Sequence, residues 1–332
     1  MKIAVDAMGG DYAPSAIVKG AVESARENTS DKAIILVGKQ ENIREELKKY
    51  DTKNLPIEVY HASEVVDMHD SPAVAVKKKK DSSIAVAAGL VQRGEASALV
   101  TAGNTGAAVA ATIFKWKMLN RVSRPAIATL FPTPSGYTIL LDVGANVVCK
   151  PVHLIQYAVM GKVYAENIMG IRNPKIGLLS VGEESSKGTT VTKEVYKYLY
   201  TVSGINFIGN VEGKDIFSSA VDIVVTDGFV GNVVLKLSEG LASAVMQMLK
   251  NEIEKTLISK LGALLMKPAL RGFKKKADYD EHGGAPLLGV NGVCIIGHGK
   301  SSSKAIKNAI NVAESFVVHN VNDRIEEEIR GL

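Results

Sequence analysis

The chain has 332 residues, about twice the length of a common single domain, so one large domain or two modest ones are expected. Hydrophobic residues make up 46% of it, which excludes an intrinsically disordered chain. The net charge of +5 and the aromatic content of 5% do not indicate a nucleic-acid-binding protein, and the two cysteines exclude a disulfide scaffold or a cysteine-rich zinc site.

Short apolar runs alternate with segments of helical periodicity along the whole chain. The helical segments include residues 14–27 and 41–49 and one long helix over 302–330. The predicted buried strands are residues 3–5, 33–37, 98–100, 139–141, 176–179, 206–208, 223–225 and 293–296. This alternation predicts an α/β sheet with helices on both faces. No linker and no internal repeat is visible, so residues 1–332 are expected to form one interwoven unit or two interwoven subdomains.

Two features bear on the cellular location. Residues 96–114 contain no charged side chain, but the turn at 103–106 divides them, which predicts a strand, a turn and a helix rather than a membrane span. Asp6 interrupts any signal-peptide apolar region at the start of the chain. We therefore expect a cytoplasmic protein.

Five glycine-containing loops follow predicted strands. They are residues 6–11, 101–106, 142–146, 180–188 and 226–232. Ligands of α/β sheets bind beyond the carboxyl ends of the strands, where glycine admits a ligand to the backbone and a following helix offers N–H groups to an anion. For each loop alone, a tight turn between strand and helix is the favoured interpretation. Because all five also carry Asp, Asn or Lys, together they predict a shared anion site.

Common nucleotide, metal and hydrolase motifs are absent from the sequence. No GxGxxG follows the first strand, and residues 297–301 lack the first glycine of a Walker A loop, since Cys294 takes its place. The six histidines show no HxxH or HExxH spacing, and no serine lies in a GxSxG segment. The sequence therefore predicts no metal site.

Residues 241–280 predict a helical hairpin extension in which leucines and lysines are interleaved. An apolar tip with basic neighbours suits a membrane surface or an acidic protein partner, and it equally suits a homodimer interface. The residues expected to contact a carrier protein or a membrane are Leu261, Leu264, Leu265, Lys267, Arg271 and Lys274.

At the five glycine loops, and again at the Gly-Gly-Ala-Pro-Leu-Leu-Gly run of residues 283–289, the sequence resembles the bacterial phosphate acyltransferases of the PlsX type. The resemblance extends from the Asp-Ala-Met-Gly-Gly-Asp segment of residues 6–11 to Gly299. It implies formation of acyl phosphate from acyl-acyl carrier protein and inorganic phosphate, at the start of phospholipid synthesis.

The resemblance also implies a three-layer α/β/α fold with a mostly parallel sheet, similar to phosphotransacetylases and isocitrate-type dehydrogenases. A homodimer with its cleft near the subunit interface is implied, as is peripheral attachment to the membrane and transfer of the product to a membrane glycerol-phosphate acyltransferase. No cofactor is carried over from the dehydrogenases. A coenzyme A-dependent phosphate acyltransferase, a nicotinamide-dependent dehydrogenase of related fold and a non-catalytic membrane adaptor are the alternatives.

The reaction itself needs few catalytic groups. Phosphate has a second pKa near 6, so it is largely a dianion at neutral pH, and a thiol with a pKa of about 8.5 leaves readily as thiolate. The site must therefore mainly orient two anionic reactants and stabilise an oxyanion, which amide N–H groups, asparagines and a lysine can do. No Ser-His-Asp or Cys-His arrangement is required.

From loop position and residue type, two sets of site residues are predicted. The catalytic set is Asn104, Lys187, Asn146 and Asn232. The set that binds phosphate or substrate is Gly9, Gly10, Asp11, Gly103, Thr105, Gly106 and Gly182. Lys187 is expected to neutralise phosphate, and Asn146 and Asn232 are expected to donate to substrate oxygens.

Overall fold

The computed structural model describes residues 1–27, 32–270, 272 and 279–332. Eleven strands of this part of the chain form a single sheet. In chain order the strands are β1 (Lys2–Asp6), β2 (Ala33–Gly38), β3 (Ile57–His61), β4 (Ala98–Thr101), β5 (Ala126–Thr133), β6 (Gly136–Leu141), β7 (Ile176–Leu179), β8 (Phe207–Val211), β9 (Ile223–Val225), β10 (Ala285–Leu288) and β11 (Val293–Ile296).

Helices connect most of these strands. They are α1 (Ser15–Arg26), α2 (Gln40–Leu47), α3 (Pro72–Lys78), α4 (Ser83–Gln92), α5 (Thr105–Trp116), α6 (Pro151–Asn167), α7 (Thr190–Leu199), α8 (Gly228–Glu254), α9 (Leu257–Leu265), α10 (Ser303–Val318) and α11 (Val321–Arg330). Short 3-10 helices lie at Gly213–Phe217 and Tyr279–Glu281.

The sheet consists of two halves that run in opposite directions. Its order is β3-β2-β1-β4-β11-β10-β5-β6-β9-β7-β8. Strands β1 to β4 and β11 are mutually parallel, as are β6 to β9. Strand β10 is antiparallel to both β11 and β5, and β5 is antiparallel to β6. Consequently, the carboxyl ends of β1 and β4 lie along one border of the sheet, and those of β6, β7 and β9 lie along the opposite border. These two borders, formed by the ends of the strands, are called the two edges below.

Two apolar layers hold the helices on the sheet. On one face, side chains such as Ile17 and Val18 of α1 and Ile306 of α10 pack against the strands. On the other face, α4 and α5 contribute alanine-rich surfaces, and Val234 and Leu235 of α8 join them over the second half. The α/β prediction with helices on both faces is thus confirmed as a three-layer α/β/α arrangement.

Some predicted elements differ from the structure. The long helix over 302–330 is two helices, because Asn320 adopts a left-handed conformation (φ 50°) between α10 and α11. Strands β3, β5 and β10 were not predicted, since their apolar patterns are short or interrupted by proline. The charge-free segment at 96–114 is a strand, a turn and a helix, as expected.

Helix α8 leaves the body of the protein. Only Gly228 and Gly231, at its start, are buried, and the 18-residue apolar window in this helix is 6% buried. By length and composition alone, this is the one helix of the described chain that could cross a membrane. Its start contacts the sheet at β6, and α9 follows it directly and contacts it. The predicted extension at 241–280 takes in the second part of α8 and all of α9, and its residues 271 and 273–278 lie outside the described part of the chain.

Candidate functional site

The strand directions divide the glycine loops into two clusters. The first cluster comprises residues 6–11, 101–106 and 297–301, and the second cluster comprises residues 142–149, 180–188 and 226–232. Strands β4 and β9 are five positions apart in the sheet, which corresponds to about 24 Å. The prediction that all five glycine loops form one shared site is therefore wrong for a single chain, because periodicity did not reveal that the two halves are antiparallel.

A buried aspartate organises the first cluster. Asp6 is 3% exposed, and its carboxylate accepts hydrogen bonds from Thr101 Oγ1 at 2.8 Å and from the Met8 backbone at 3.2 Å. Burial raises the pKa of Asp6, and these donors oppose that shift. Gly9 and Gly103 pack so closely here that a Cβ on Gly9 would lie 2.8 Å from the Gly103 nitrogen. The two glycines thus allow the loops to touch and leave little space between them.

Asn104 caps α5 and holds a neighbouring segment. Its Oδ1 accepts a hydrogen bond from the Ala107 backbone at 3.0 Å, as an N-cap residue does. Its Nδ2 donates to the carbonyls of Met68 and Asp70 at 3.0 and 3.1 Å. Both ends of the amide are therefore engaged within the protein, and this side chain is a structural link in the present arrangement.

The remaining predicted residues of the first cluster are loop and helix-start residues. The Asp11 backbone donates to the Gly299 carbonyl at 2.7 Å, which attaches the third loop of the cluster. Gly10 has a φ of 101°, a conformation that favours glycine. Thr105 and Gly106 form the first turn of α5. The structure brings Gly9, Gly10, Asp11, Gly103, Asn104, Thr105 and Gly106 together.

The second cluster is also built on a buried aspartate. Asp142 is fully buried, and the backbone N–H groups of Ile127, Gly144, Ala145 and Asn146 donate to its carboxylate at 2.7–3.1 Å. Burial raises the pKa of Asp142, and this set of donors opposes the shift. The aspartate thereby fixes the loop after β6.

Asn146 points into the protein from this loop. Its Nδ2 donates to the Pro125 carbonyl at 2.6 Å and to the Tyr157 hydroxyl at 2.8 Å. Tyr157 is fully buried, and burial raises the pKa of its hydroxyl. Burial also raises the pKa of Cys149, whose sulfur lies 3.8 Å from that hydroxyl. Asn146 therefore positions the loop, and its nitrogen is not directed at a substrate here.

The start of α8 packs against the same loop. Asp227 caps the helix by accepting a hydrogen bond from the Val230 backbone at 2.9 Å. A Cβ on Gly228 would lie 2.6 Å from both the Asn146 carbonyl oxygen and an Asp142 carboxylate oxygen, and a methyl on Gly231 would collide with the Asp142 carbonyl. Glycine is required at both positions so that α8 can approach the loop.

Asn232 and Lys187 are exposed polar side chains of the second cluster, as are Glu183, Glu184, Ser185 and Ser186. Asn232 is exposed beside Gly144, with its Cγ 3.7 Å from the Cβ position of that glycine. Lys187 is exposed in the loop after β7, and its stem lies against Gly182. Neither side chain forms a hydrogen bond or ion pair with the described part of the chain. Both are therefore available to a ligand.

The loop that carries Lys187 also offers backbone donors. The Lys187 N–H bonds to the Glu184 carbonyl at 3.0 Å, whereas the N–H groups of Ser185, Ser186 and Gly188 have no partner within the described residues. Consecutive free N–H groups beside an ammonium group suit an anion. The structure brings Asn146, Gly182, Lys187 and Asn232 to one edge and separates them from Asn104.

Basic side chains border the second cluster near the start of α6. His153 accepts a hydrogen bond at Nδ1 from the Lys150 backbone at 3.1 Å, which caps the helix. Burial lowers the pKa of His153, and the charges of Arg124 and Lys150 lower it further. Arg124 and Lys150 therefore place positive charge near this end of α6, while Glu183 and Glu184 place negative charge on the Lys187 loop.

The predicted contact residues of the extension lie in or after α9. Leu261, Leu264 and Leu265 are 63%, 61% and 83% exposed, and Lys267 is exposed as well. Arg271 and Lys274 lie outside the described residues. Among the described residues, no group of three or more His, Cys, Asp or Glu side chains could hold a metal ion.

Sequence reasoning missed the buried groups and a repeated motif. Asp6 and Asp142 organise the clusters and Tyr157 holds Asn146, but none was predicted as a site residue. A signal was present: the pattern T-x-G-x-x-G occurs at residues 101–106 and again at 226–231, each time between a strand and a helix. Comparing the two segments would have revealed the duplicated arrangement.

Comparison with solved structures shows which fold the chain adopts. A phosphotransacetylase from Streptococcus pyogenes matches with a TM-score of 0.65 at 18% identity, covering 96% of this chain and 94% of its own. A branched-chain phosphotransacylase from Enterococcus faecalis V583 matches with a TM-score of 0.56 at 17% identity, covering 95% of this chain and 98% of its own. At these identities the likeness shows the fold, which is that of the phosphotransacetylases, as predicted.

Sequence comparison gives the family. The family model described as "Fatty acid synthesis protein" matches residues 1–324, and the chain belongs to this family. A phosphate acyltransferase from Citrifermentans bemidjiense is 57% identical over 329 residues, covering 99% of this chain and 93% of its own. Another, from Geobacter sulfurreducens, is 55% identical over 329 residues, covering 99% of this chain and 94% of its own. The predicted resemblance is confirmed.

Proposed function

We propose that this phosphate acyltransferase takes its acyl group from acyl carrier protein and transfers it to inorganic phosphate at the second cluster. Family membership supports acyl phosphate formation for phospholipid synthesis. The observation that carries the location is the pairing of exposed Lys187 and Asn232 with free N–H groups in the 180–188 loop. In the first cluster the amide of Asn104 is engaged within the protein, although Lys300 of that cluster is exposed.

The reaction proceeds by direct attack. A phosphate oxygen adds to the thioester carbonyl carbon, and the carbonyl electron pair moves onto oxygen. Collapse of this intermediate breaks the C–S bond, and sulfur leaves as thiolate, which takes a proton from solvent. The products are acyl phosphate and the free carrier thiol. Lys187 and the loop N–H groups bind the phosphate, and Asn232 donates to the developing oxyanion.

Orientation and charge stabilisation are sufficient for this step. Holding two reactants in attack geometry supplies about 7–11 kcal/mol, and one oxyanion donor supplies about 3 kcal/mol. Asn146 contributes by holding the loop through Pro125 and Tyr157. Because burial raises the pKa of Cys149, its thiol stays protonated at neutral pH and is a poor nucleophile. We therefore expect no acyl-enzyme intermediate.

In this proposal, α8, α9 and Lys267 make contacts with a second copy of the chain, with a membrane and with the carrier protein. Val233, Leu237, Leu241 and Val245 recur every fourth residue along α8 and are at least 50% exposed, which suits packing against a second copy in a homodimer. The leucines at 261, 264 and 265 suit peripheral contact with a membrane from the cytoplasm, and Lys267 suits contact with an acidic carrier protein or lipid headgroups. A membrane glycerol-phosphate acyltransferase would then receive the acyl phosphate.

Phosphate-dependent release of thiol tests the donor. We expect acyl-acyl carrier protein to be used at least about 10-fold more efficiently than the matching coenzyme A thioester, with kcat/KM falling as ionic strength rises. Equal or better use of the coenzyme A thioester would favour a coenzyme A-dependent enzyme. Thiol release at a rate that does not depend on phosphate concentration would contradict acyl transfer to phosphate. An acyl adduct detected on the intact protein during turnover would contradict direct attack.

Vesicle flotation tests the extension. Leu264→Glu combined with Leu265→Glu should abolish binding to anionic vesicles and preserve turnover in solution. The matched control is Ser259→Glu, which adds charge to α9 and leaves the leucines intact. Unchanged flotation of the double variant would assign the leucines to a protein interface.

A further inference from the structure

Two buried side-chain oxygens lie beneath the loop that carries Lys187, and neither has a hydrogen-bond partner in the described part of the chain. They are Ser180 Oγ, at the end of β7, and Asn210 Oδ1, on β8. Asn210 is 6% exposed, although its strand β8 is the outermost strand of the sheet and pairs on one side only. A buried polar side chain at this place needs an explanation.

The nitrogen of the same amide holds the loop. Asn210 Nδ2 donates to the Glu184 carbonyl at 2.9 Å, and the Lys187 N–H donates to that same carbonyl at 3.0 Å. One oxygen atom thus connects the sheet, the middle of the loop and the backbone of Lys187. The Ser180 N–H also donates to the Val211 carbonyl at 2.9 Å, which holds the start of the loop. Further along, Glu183 forms an exposed ion pair with Lys214 at 3.7 Å, a weak constraint in water.

The loop would otherwise be poorly constrained. Residues 183–187 are all exposed, and the segment contains two serines and ends at Gly188, whose φ of 97° requires glycine or a strained residue. A lysine on such a loop samples many positions. Because a misplacement of about 1 Å can cost on the order of 100-fold in rate, the loop needs a rigid support.

We propose that Asn210 is the positioning residue of the phosphate site, acting through the Glu184 carbonyl to fix the loop and the ammonium group of Lys187. This inference rests on the proposed role of Lys187 in binding phosphate. Asn210 touches no reactant: its nitrogen supports the loop, and its Oδ1 is buried without a partner in the described part of the chain.

The substitution Asn210→Asp tests this because it preserves shape and removes the donor. We expect the KM for phosphate to rise about 10-fold or more, with an unchanged KM for the acyl thioester. Trypsin should cleave after Lys187 faster in the native variant, a readout that does not depend on activity. The matched control is Asn206→Asp: Asn206 precedes the same strand and donates to the Asn173 carbonyl at 3.0 Å, away from the loop.

A double-variant cycle separates this inference from the proposed function. If Asn210 acts through Lys187, adding Asn210→Asp to Lys187→Ala should cause little further loss, whereas independent roles would give multiplied losses and overturn the inference. If Lys187→Ala leaves phosphate use intact, the proposed site is wrong whatever Asn210 does. If Lys187→Ala is impaired and Asn210→Asp matches Asn206→Asp in phosphate KM and in cleavage, only the positioning role is wrong. Should Asn210→Asp not fold, Asn210→Ser is assayed by the same criteria.

Discussion

The first and second clusters are built alike and differ in which polar groups remain free. Each combines a buried aspartate, Asp6 or Asp142, with a T-x-G-x-x-G segment that enters a helix. In the first cluster, Asn104 is used to cap α5 and to hold the 67–70 segment over the helix start. In the second, Lys187 and Asn232 are exposed without an internal partner. The same backbone arrangement therefore leaves different polar side chains exposed at the two edges, and we propose that the second of them binds the reactants.

The largest expected effect comes from disrupting the contact between α8 and the Asp142 loop. Gly231→Ala places a methyl group into the Asp142 carbonyl, so the helix and loop must separate. We expect a loss of about 3 kcal/mol in the free energy of unfolding and loss of acyl phosphate formation. Denaturant unfolding and the thiol-release assay measure both effects. Gly213→Ala, at a position with no neighbour within 4 Å, is the control and should be close to neutral.

Removing the free groups of the second cluster should affect chemistry and leave stability unchanged. Lys187→Ala and Asn232→Ala are each expected to lower kcat/KM for phosphate on the order of 100-fold, because a charged or polar donor to the reactants is lost. Their melting temperatures should match that of the unsubstituted protein, since both side chains are exposed. Lys300→Ala, an exposed lysine of the first cluster, should retain activity within about 3-fold. Equal losses in all three variants would contradict the difference between the clusters.

Asn104 distinguishes the two clusters most directly. Its position in a glycine loop predicts a catalytic role, whereas its hydrogen bonds predict a structural one. We expect Asn104→Ala to lower the free energy of unfolding by about 1 kcal/mol through loss of the N-cap, with little change in the activity of the folded protein. Asn104→Asp retains the cap oxygen and should recover part of the stability. A large fall in kcat without loss of stability would restore the catalytic assignment.

The smallest expected effect is a pH dependence at His153. Burial lowers the pKa of His153 in the folded protein below its usual value of 6.5, so the unfolded chain binds the proton more tightly. This group therefore contributes stability above pH 6.5 that is lost as the pH falls, since a protonated Nδ1 cannot accept from Lys150. His153→Gln keeps an acceptor at this position, so its melting temperature should fall less between pH 7.5 and 5.5, by roughly 2 °C. Identical falls in both proteins would contradict this.

The local sequence pattern was sufficient to predict most helices and strands, but it did not predict how the strands are arranged in the sheet. The strands that become β1, β2, β4, β7, β9 and β11 were predicted nearly to their ends, because buried apolar runs bounded by Gly, Asp, Asn or Ser are a local signal. Strands β5 and β10 were missed, and the three antiparallel pairings β11–β10, β10–β5 and β5–β6 together reverse the second half of the sheet. Strand direction depends on pairing between residues far apart in the chain, which a periodicity does not contain.

The sequence by itself determined the family, the α/β class and the residue types of an anion-binding edge, because glycine loops and apolar runs act over a few residues. Only the tertiary structure decided which of those residues share an edge and which are already engaged. It turned Asn104 and Asn146 towards internal carbonyls, left Lys187 and Asn232 exposed, and placed Asn210 beneath the lysine loop. The physical reason is that a side-chain amide has the same hydrogen-bonding capacity everywhere, and the groups that surround it in the fold determine whether that capacity is free.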